Sequence, residues 1–245
     1  MPRSEAPRPS GIDGANHSPR FFGILIAMND VLFVDKPAGI TSSRVVELIK
    51  RKLKVKVGHT GTLDPLATGL LIVLTGRRTK DASLFLRLDK AYEVTAVLGI
   101  ETDTFDREGK VVGQCDAVVA REELEGALQG FRGDLWQTPP LFSAKKLEGR
   151  KAYQLARKGV SVEIPPKKVT VYSLALKEFE FPHFALTCEV SSGFYVRSLV
   201  HDIGKKLGIG ACVTGVRRIR VGTYSLDQAV SLEEILGDTE GDSGS

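Results

Sequence analysis

Apolar side chains at helical spacing predict the helices of this chain. Val45, Leu48, Ile49 and Leu53 follow the capping residue Thr41 and share one helical face, because their spacing is i, i+3, i+4 and i+8. The opposite face carries arginines and lysines. The same kind of spacing predicts further helices over residues 77–90, 121–130, 151–159, 195–207 and 232–236.

Alternating and continuous apolar runs predict the strands. Residues 92–98 alternate at period two, which is typical of a strand with one buried face. Residues 70–74 are apolar throughout, which favours a buried strand. Val111 and Val112 are predicted to pair as a hairpin strand across residues 106–109. Further strands are predicted at 31–34, 169–174, 184–190 and 216–224, with turns at 35–39 and 99–104.

The stretch GHTGTLDPLATG, from Gly58 to Gly69, fits neither pattern. Its three glycines, its histidine and its single carboxylate, Asp64, predict an irregular loop that leads into the buried strand. Loops on a rigid base often carry catalytic residues. The alternative is that Asp64 caps a helix beginning at Pro65, but only four residues separate Asp64 from Gly69, so such a helix has about one turn. The stretch matches neither a P-loop nor a dinucleotide-binding motif.

Composition narrows the class of protein. Of the 245 residues, 42% are hydrophobic and 26% charged, as in ordinary globular proteins, and the length suits one large domain or two small ones. No apolar run approaches the roughly 18 residues that span a bilayer, so no membrane anchor is expected. The three cysteines form no CxxC pair, which predicts a reducing cytoplasm and no structural zinc site.

Charge is distributed unevenly along the chain. Residues 1–226 hold 34 basic and 24 acidic residues, a net of +10, whereas residues 227–245 hold six acidic and no basic residues. A basic body suits a polyanionic partner such as a nucleic acid. The first 20 residues, rich in Pro, Ser, Gly and Arg, are predicted to be disordered and lack the apolar segment of a signal peptide.

The loop around Asp64 resembles the catalytic motif of the TruB-type tRNA pseudouridine synthases, which isomerise uridine 55 in the T loop of tRNA. Three more stretches resemble motifs of that family, in the family's order. They are DKP at 35–37, KAY with LGIETD at 90–103, and GFYVRS at 193–198. The resemblance covers roughly residues 31–236 and makes Met28 the expected natural start.

The resemblance implies an α+β pseudouridine-synthase fold, with a mixed, mainly antiparallel sheet flanked by helices. It implies one catalytic domain over residues 28–236, with an RNA-gripping insertion at about 136–168, between a disordered tail at 1–27 and an acidic tail at 237–245. Many relatives continue into a C-terminal PUA-like domain, whereas this chain ends soon after Leu236. RNA binding is therefore expected to depend on the catalytic domain and its insertion.

The resemblance also assigns roles to individual residues. Asp64 is the implied catalytic carboxylate, Arg197 pairs with it, and Tyr92 stacks on the target base. His59 fills the space that the flipped base vacates. Lys36, Tyr195 and Val216 line the pocket, although many relatives carry Leu where this chain has Val216. The expected contacts to the RNA backbone come from the insertion and are Lys145, Lys146, Arg150 and Lys151.

The chemistry of the reaction agrees with these residue types. Pseudouridine forms when the N1–C1′ bond breaks, the uracil turns, and C5 joins C1′, so neither metal nor cofactor is required. The four histidines lack metal-ligand spacing. Asp64 could add to C1′ or assist proton abstraction at C2′, and the sequence does not choose between them. An adjacent Arg197 would favour the charged form of the carboxylate.

Other functions compatible with the sequence differ in substrate or class. A guide-RNA-directed synthase would use the same chemistry, but it needs a C-terminal surface for its partners. A pure RNA-binding module would have no need for Asp64 beside Arg197, and a hydrolase using His59 and Asp64 lacks an evident nucleophile. We therefore expect a monomeric enzyme that acts on the T arm of tRNA without a required protein partner.

Overall fold

The computed structural model describes residues 29–141, 146–147, 150–151 and 164–237. The predicted tails, residues 1–27 and 237–245, lie outside these residues apart from Gly237. The predicted helix at 151–159 also lies outside them, except for Lys151, which belongs to a strand. The helices are α1 Ser42–Leu53, α2 Ala82–Leu86, α3 Arg121–Gln129, α4 Val196–Leu207 and α5 Leu232–Leu236, with 3-10 helices at Gly76–Asp81 and Leu226–Gln228.

The strands lie between these helices, several of them in consecutive runs. The first seven are β1 Val31–Lys36, β2 Val57–His59, β3 Thr68–Thr75, β4 Lys90–Leu98, β5 Ile100–Thr102, β6 Val111–Gln114 and β7 Gly133–Gln137. The others are β8 Lys146–Leu147, β9 Arg150–Lys151, β10 Lys167–Glu180, β11 His183–Val190, β12 Ala211–Val221, β13 Tyr224–Ser225 and β14 Val230–Ser231.

Most predicted elements are confirmed, with three corrections. The predicted helix at 77–90 is a 3-10 helix followed by the five-residue α2, because Lys90 already belongs to β4. The predicted turn at 99–104 contains β5, which pairs with β6. The last long strand begins at Ala211 rather than at Val216 and ends before a turn at residues 222–223.

One mixed, mainly antiparallel sheet forms the centre of the fold, as predicted. Within the described residues its strand order is β14-β1-β3-β12-β4-β11-β10-β7, with β2 added to β3 and β13 added to β12. The pairs β1–β14 and β3–β12 are parallel, and the other pairs of this sheet are antiparallel.

Helices cover both faces of the sheet around its centre. The larger apolar cluster includes Leu71, Val73 and Val94 of the sheet together with residues of α1, α3 and α4. The smaller cluster lies on the other face, where Leu70 and Ile72 pack with residues of α2. Strand β3 is thus buried on both faces, which explains its continuous apolar sequence.

A glycine allows β3 and β12 to meet closely at the start of β3. Gly69 has φ of +95°, and a Cβ at this position would lie 2.4 Å from the carbonyl oxygen of Arg218. Only glycine accepts both conditions. The contact places the end of the predicted loop directly beside β12.

Candidate active site

The loop that carries Asp64 connects β2 to β3 and is held by α1. The Ser42 hydroxyl donates to the Leu63 carbonyl at 3.0 Å and accepts from the Leu63 N–H at 2.9 Å. The Gly39 N–H donates to the Pro65 carbonyl at 2.9 Å, and the Ala67 N–H donates to the Asp64 carbonyl at 3.0 Å. Asp64 and Pro65 therefore open a single turn, as the sequence predicted, rather than a helix.

Lys36 supports the same loop from inside the protein. Its side chain is fully buried, and its ammonium donates to the carbonyls of Pro37 at 2.8 Å, Ile40 at 2.6 Å and Pro65 at 3.3 Å. Burial lowers the pKa of Lys36 from 10.5 to about 8, while the charge of Asp64 acts in the opposite direction. The ammonium thus ties the end of β1 to the residue that follows Asp64.

We expect Lys36→Met to lower the free energy of unfolding by about 1–3 kcal/mol, because three backbone carbonyls lose the buried ammonium that donates to them. Urea denaturation followed by circular dichroism measures the change. Lys177→Met, at an exposed position of β10, is the matched control and should unfold like the wild type. A Lys36→Met protein as stable as this control would contradict the supporting role.

Asp64 forms an ion pair with Arg197, the second residue of α4. Arg197 Nε lies 2.9 Å from Asp64 Oδ2. The arginine side chain is 6% exposed, whereas the aspartate side chain is 41% exposed. The buried guanidinium therefore fixes a carboxylate that stays accessible to a substrate.

A second carboxylate, Asp106, holds Arg197 from the other side. Arg197 Nη1 lies 3.3 Å from Asp106 Oδ2 and donates to the Thr104 carbonyl at 2.8 Å. The Asp106 side chain is 6% exposed, and its Oδ1 accepts from the Thr104 hydroxyl at 2.8 Å and from the Glu108 N–H at 3.0 Å. One guanidinium thus joins α4, the Asp64 loop and the loop between β5 and β6.

The start of α4 is also fixed from β7. The side-chain amide of Gln137 donates to the Tyr195 carbonyl at 2.9 Å, and its oxygen accepts from the Tyr195 N–H at 2.7 Å. Gln137 is buried. This two-point contact orients the first turn of α4, where Arg197 lies.

Tyr92 lies in β4, at the centre of the sheet, opposite Cys188 in β11 and Arg218 in β12. It is 9% exposed, and burial raises the pKa of its hydroxyl, while the charge of Arg218 and a hydrogen bond from Arg218 act in the opposite direction. The charge of Asp64 acts in the same direction as burial and also raises the pKa of this hydroxyl.

The other predicted residues lie around this centre. His59 ends β2, and its Nδ1 accepts from the Gly61 N–H at 3.4 Å. Val216 lies in β12 opposite Val94, and its carbonyl accepts from the Thr68 hydroxyl at 3.5 Å. Lys146, Arg150 and Lys151 belong to the small hairpin β8–β9, and Lys145 lies outside the described residues.

Sequence reasoning missed three residues that hold the site together: Asp106, Gln137 and Arg218. Asp106 was assigned only to a hairpin turn, and its local sequence does not indicate a buried partner. Gln137 and Arg218 carry no local signal, because their partners are distant in sequence.

Known proteins resemble this chain along most of its length. Residues 48–196 match the family model described as TruB family pseudouridylate synthase (N terminal domain), and residues 197–241 match that of the tRNA pseudouridylate synthase B C-terminal domain. The chain therefore belongs to the TruB family of tRNA pseudouridine synthases, enzymes that convert uridine to pseudouridine. The two matches meet inside α4, and the described part of the second, residues 197–237, continues the same sheet.

Two curated relatives are both named tRNA pseudouridine synthase B. The protein of Aquifex aeolicus is 52% identical over 217 residues, which cover 85% of this chain and 74% of that protein. The protein of Caldicellulosiruptor saccharolyticus is 42% identical over 212 residues, which cover 86% of this chain and 74% of that protein.

Two solved structures share the fold. A Cbf5-Nop10-Gar1 complex matches at 28% identity with a TM-score of 0.67, over 85% of this chain and 54% of that chain. An H/ACA RNP bound to a substrate RNA containing 2'-deoxyuridine matches at 26% identity with a TM-score of 0.64, over 85% of this chain and 52% of that chain. This chain thus spans about half the length of those solved chains. None of its described helices is long and apolar enough to cross a membrane.

Proposed function

We propose that the enzyme isomerises uridine 55 in the T loop of tRNA, with Asp64 as the catalytic carboxylate. The observation that carries this proposal is the pairing of Asp64 with Arg197 at 2.9 Å, in which the arginine is buried and the carboxylate is accessible. A carboxylate that is to react with the sugar must be reachable and held in place, and here the side chain is 41% exposed while the buried guanidinium holds it.

The reaction requires the target base to leave its stack. Turning out a nucleotide costs a few kcal/mol, which contacts with the enzyme must offset. In this proposal Tyr92 stacks on the flipped base, His59 fills the vacated space, and Lys36, Tyr195 and Val216 border the pocket. Lys36 would act there through the loop backbone, since its side chain is fully buried.

The chemical steps balance without a further reagent. The N1–C1′ bond breaks as Asp64 adds to C1′ or removes the C2′ proton. The detached uracil then turns so that C5 faces C1′. C5 then bonds to C1′, which releases Asp64 from C1′ in the first route and is accompanied by return of the proton to C2′ in the second. C5 loses its proton, and N1 gains one. Tyr92 is a group in the pocket that can exchange a proton with the base.

Binding of the T arm would depend on positive charge. Residues 1–226 carry a net charge of +10, and Lys145, Lys146, Arg150 and Lys151 fall in or beside the hairpin β8–β9. Such side chains bind phosphates by releasing counterions, so affinity should fall with salt. The proposal includes action as a monomer in the cytoplasm, without a required protein partner.

Mapping the product tests the position directly. An unmodified tRNA transcript is incubated with the protein, treated with carbodiimide, and read by primer extension, which stops at pseudouridine. A stop at position 55 supports the proposal, and a transcript with cytidine at that position serves as the control. Stops elsewhere, with none at position 55, would contradict the proposed substrate position.

Tyr92→Phe should bind tRNA with unchanged affinity but release product about 10²-fold more slowly, because the ring is kept and the hydroxyl is lost. Filter binding measures the first quantity and tritium release from RNA labelled at C5 of uridine measures the second. Tyr172→Phe, an exposed tyrosine in β10, is the matched control. An equal loss of binding and turnover would assign Tyr92 a structural role instead.

A further inference from the structure

The proposed reaction assigns no role to Arg218, which is a buried arginine. It lies in β12, directly opposite Tyr92 in β4, and is 3% exposed. No carboxylate of the described residues forms an ion pair with it. A buried charge without an opposite charge lowers stability unless it is fully hydrogen-bonded, so an apolar residue would serve a purely structural role at lower cost.

The guanidinium joins both ends of the Asp64 loop. Arg218 Nη2 donates to the Gly61 carbonyl at 3.1 Å, three residues before Asp64, and Arg218 Nε donates to the Leu70 carbonyl at 2.8 Å, beyond the end of the loop. A Cβ on Gly61 would lie 3.6 Å from Arg218 Nη1, so the guanidinium packs against the loop backbone. Its position is therefore fixed relative to Asp64.

The same guanidinium faces Tyr92. It has five N–H groups, of which the two carbonyls take two. Arg218 and Tyr92 are directly opposite each other in β12 and β4, so a further N–H is available to the tyrosine hydroxyl. An arginine can only donate, so in a bond between the two groups the Tyr92 oxygen would be the acceptor. The hydrogen of the tyrosine hydroxyl is then left for another partner.

We propose that Arg218 is a positioning residue for the isomerisation: it holds the Tyr92 hydroxyl as an acceptor at a fixed place relative to the Asp64 loop. The hydroxyl hydrogen then points toward the flipped base. This inference rests on the proposed function, because it gives Arg218 a role only through the Tyr92 hydroxyl. Arg218 itself does not touch the reacting atoms.

A double-mutant cycle tests whether Arg218 acts through Tyr92. Single-turnover tritium release and filter binding are measured for the wild type, Arg218→Gln, Tyr92→Phe and the double variant. Arg218→Gln should slow turnover at least about 10-fold, the loss of one charged hydrogen bond, with unchanged tRNA affinity. The double variant should be no slower than Tyr92→Phe, because the acceptor is already gone.

Two controls keep the result specific. Arg220→Gln removes another arginine of β12, whose ion pair with Glu189 at 2.7 Å lies near Ala91 rather than Tyr92, and it should turn over like the wild type. Thermal unfolding checks that Arg218→Gln folds, and Arg218→Lys enters the same cycle if it does not. Lysine keeps the charge, but its single ammonium replaces the planar fork.

Two results would overturn the inference. The first is an Arg218 variant as fast as Arg220→Gln. The second is a double variant in which the two losses multiply, since Arg218 would then act independently of Tyr92. In both, the wild type still releases tritium and the proposed function stands. A wild type that releases none from tRNA would instead overturn the proposed function, and this inference with it.

Discussion

Asp64→Asn is expected to slow isomerisation by about 10⁴-fold while leaving tRNA binding unchanged. Asparagine has nearly the shape of aspartate and can still accept a hydrogen bond from Arg197. It carries no charge, however, and can neither add to C1′ nor remove a proton from C2′. The substitution therefore blocks both possible reactions of Asp64, so the expected loss does not depend on which of them the enzyme uses.

Tritium release from T-arm RNA labelled at C5 of uridine measures the loss. Glu189→Gln is the matched control, because it also neutralises a carboxylate that pairs with an arginine, at 2.7 Å, and it is adjacent to Cys188 on the strand that faces Tyr92. An asparagine variant that kept a tenth of wild-type turnover would contradict the assigned role. If neither protein released tritium while both bound RNA, the chain would act as an RNA-binding module.

The spacing of apolar residues was sufficient to predict the elements in which burial follows the local sequence pattern. Val45 and Ile49 in α1 are fully buried, as their spacing predicts, and β4 is buried on alternate residues near its middle. The same reasoning was wrong at Lys90. It was taken as the polar end of a helix, but it is buried in β4, where its ammonium donates to the carbonyls of Leu86 and Leu88.

The support around the site could not be predicted because it depends on strand register. In β12, alternation alone would place Arg218 and Arg220 on one face. An irregularity between them shifts the register, so Arg218 pairs with Tyr92 and Arg220 with Ala91. Only the assembled sheet shows which arginine reaches the loop.

The motif resemblance named Asp64 and Arg197 but not the third member of their network. Asp106 lies between β5 and β6, 91 positions before Arg197 in the chain, and nothing in its local sequence indicates a buried partner. Likewise, the motif placed Lys36 near the site without showing that its ammonium donates hydrogen bonds to three backbone carbonyls. Such contacts are fixed by tertiary packing.

Arg197→Lys should slow turnover by about 10³-fold, although the positive charge is kept. The guanidinium contacts Asp64 through Nε at 2.9 Å, and Asp106 and the Thr104 carbonyl through Nη1 at 3.3 Å and 2.8 Å. A lysine ammonium is a single point and cannot lie between both carboxylates in the same geometry. Either Asp64 is then no longer held in place, or the buried Asp106 loses its charged partner.

Single-turnover tritium release and tRNA filter binding separate the outcomes. The expected result is a lower rate with unchanged affinity, because Arg197 is buried and acts on Asp64 rather than on the RNA backbone. Arg220→Lys, which makes the same change in a more exposed ion pair, should retain the wild-type rate. Near-normal turnover of Arg197→Lys would mean that charge alone suffices beside Asp64, and the planar geometry of the network would then have no role in the reaction.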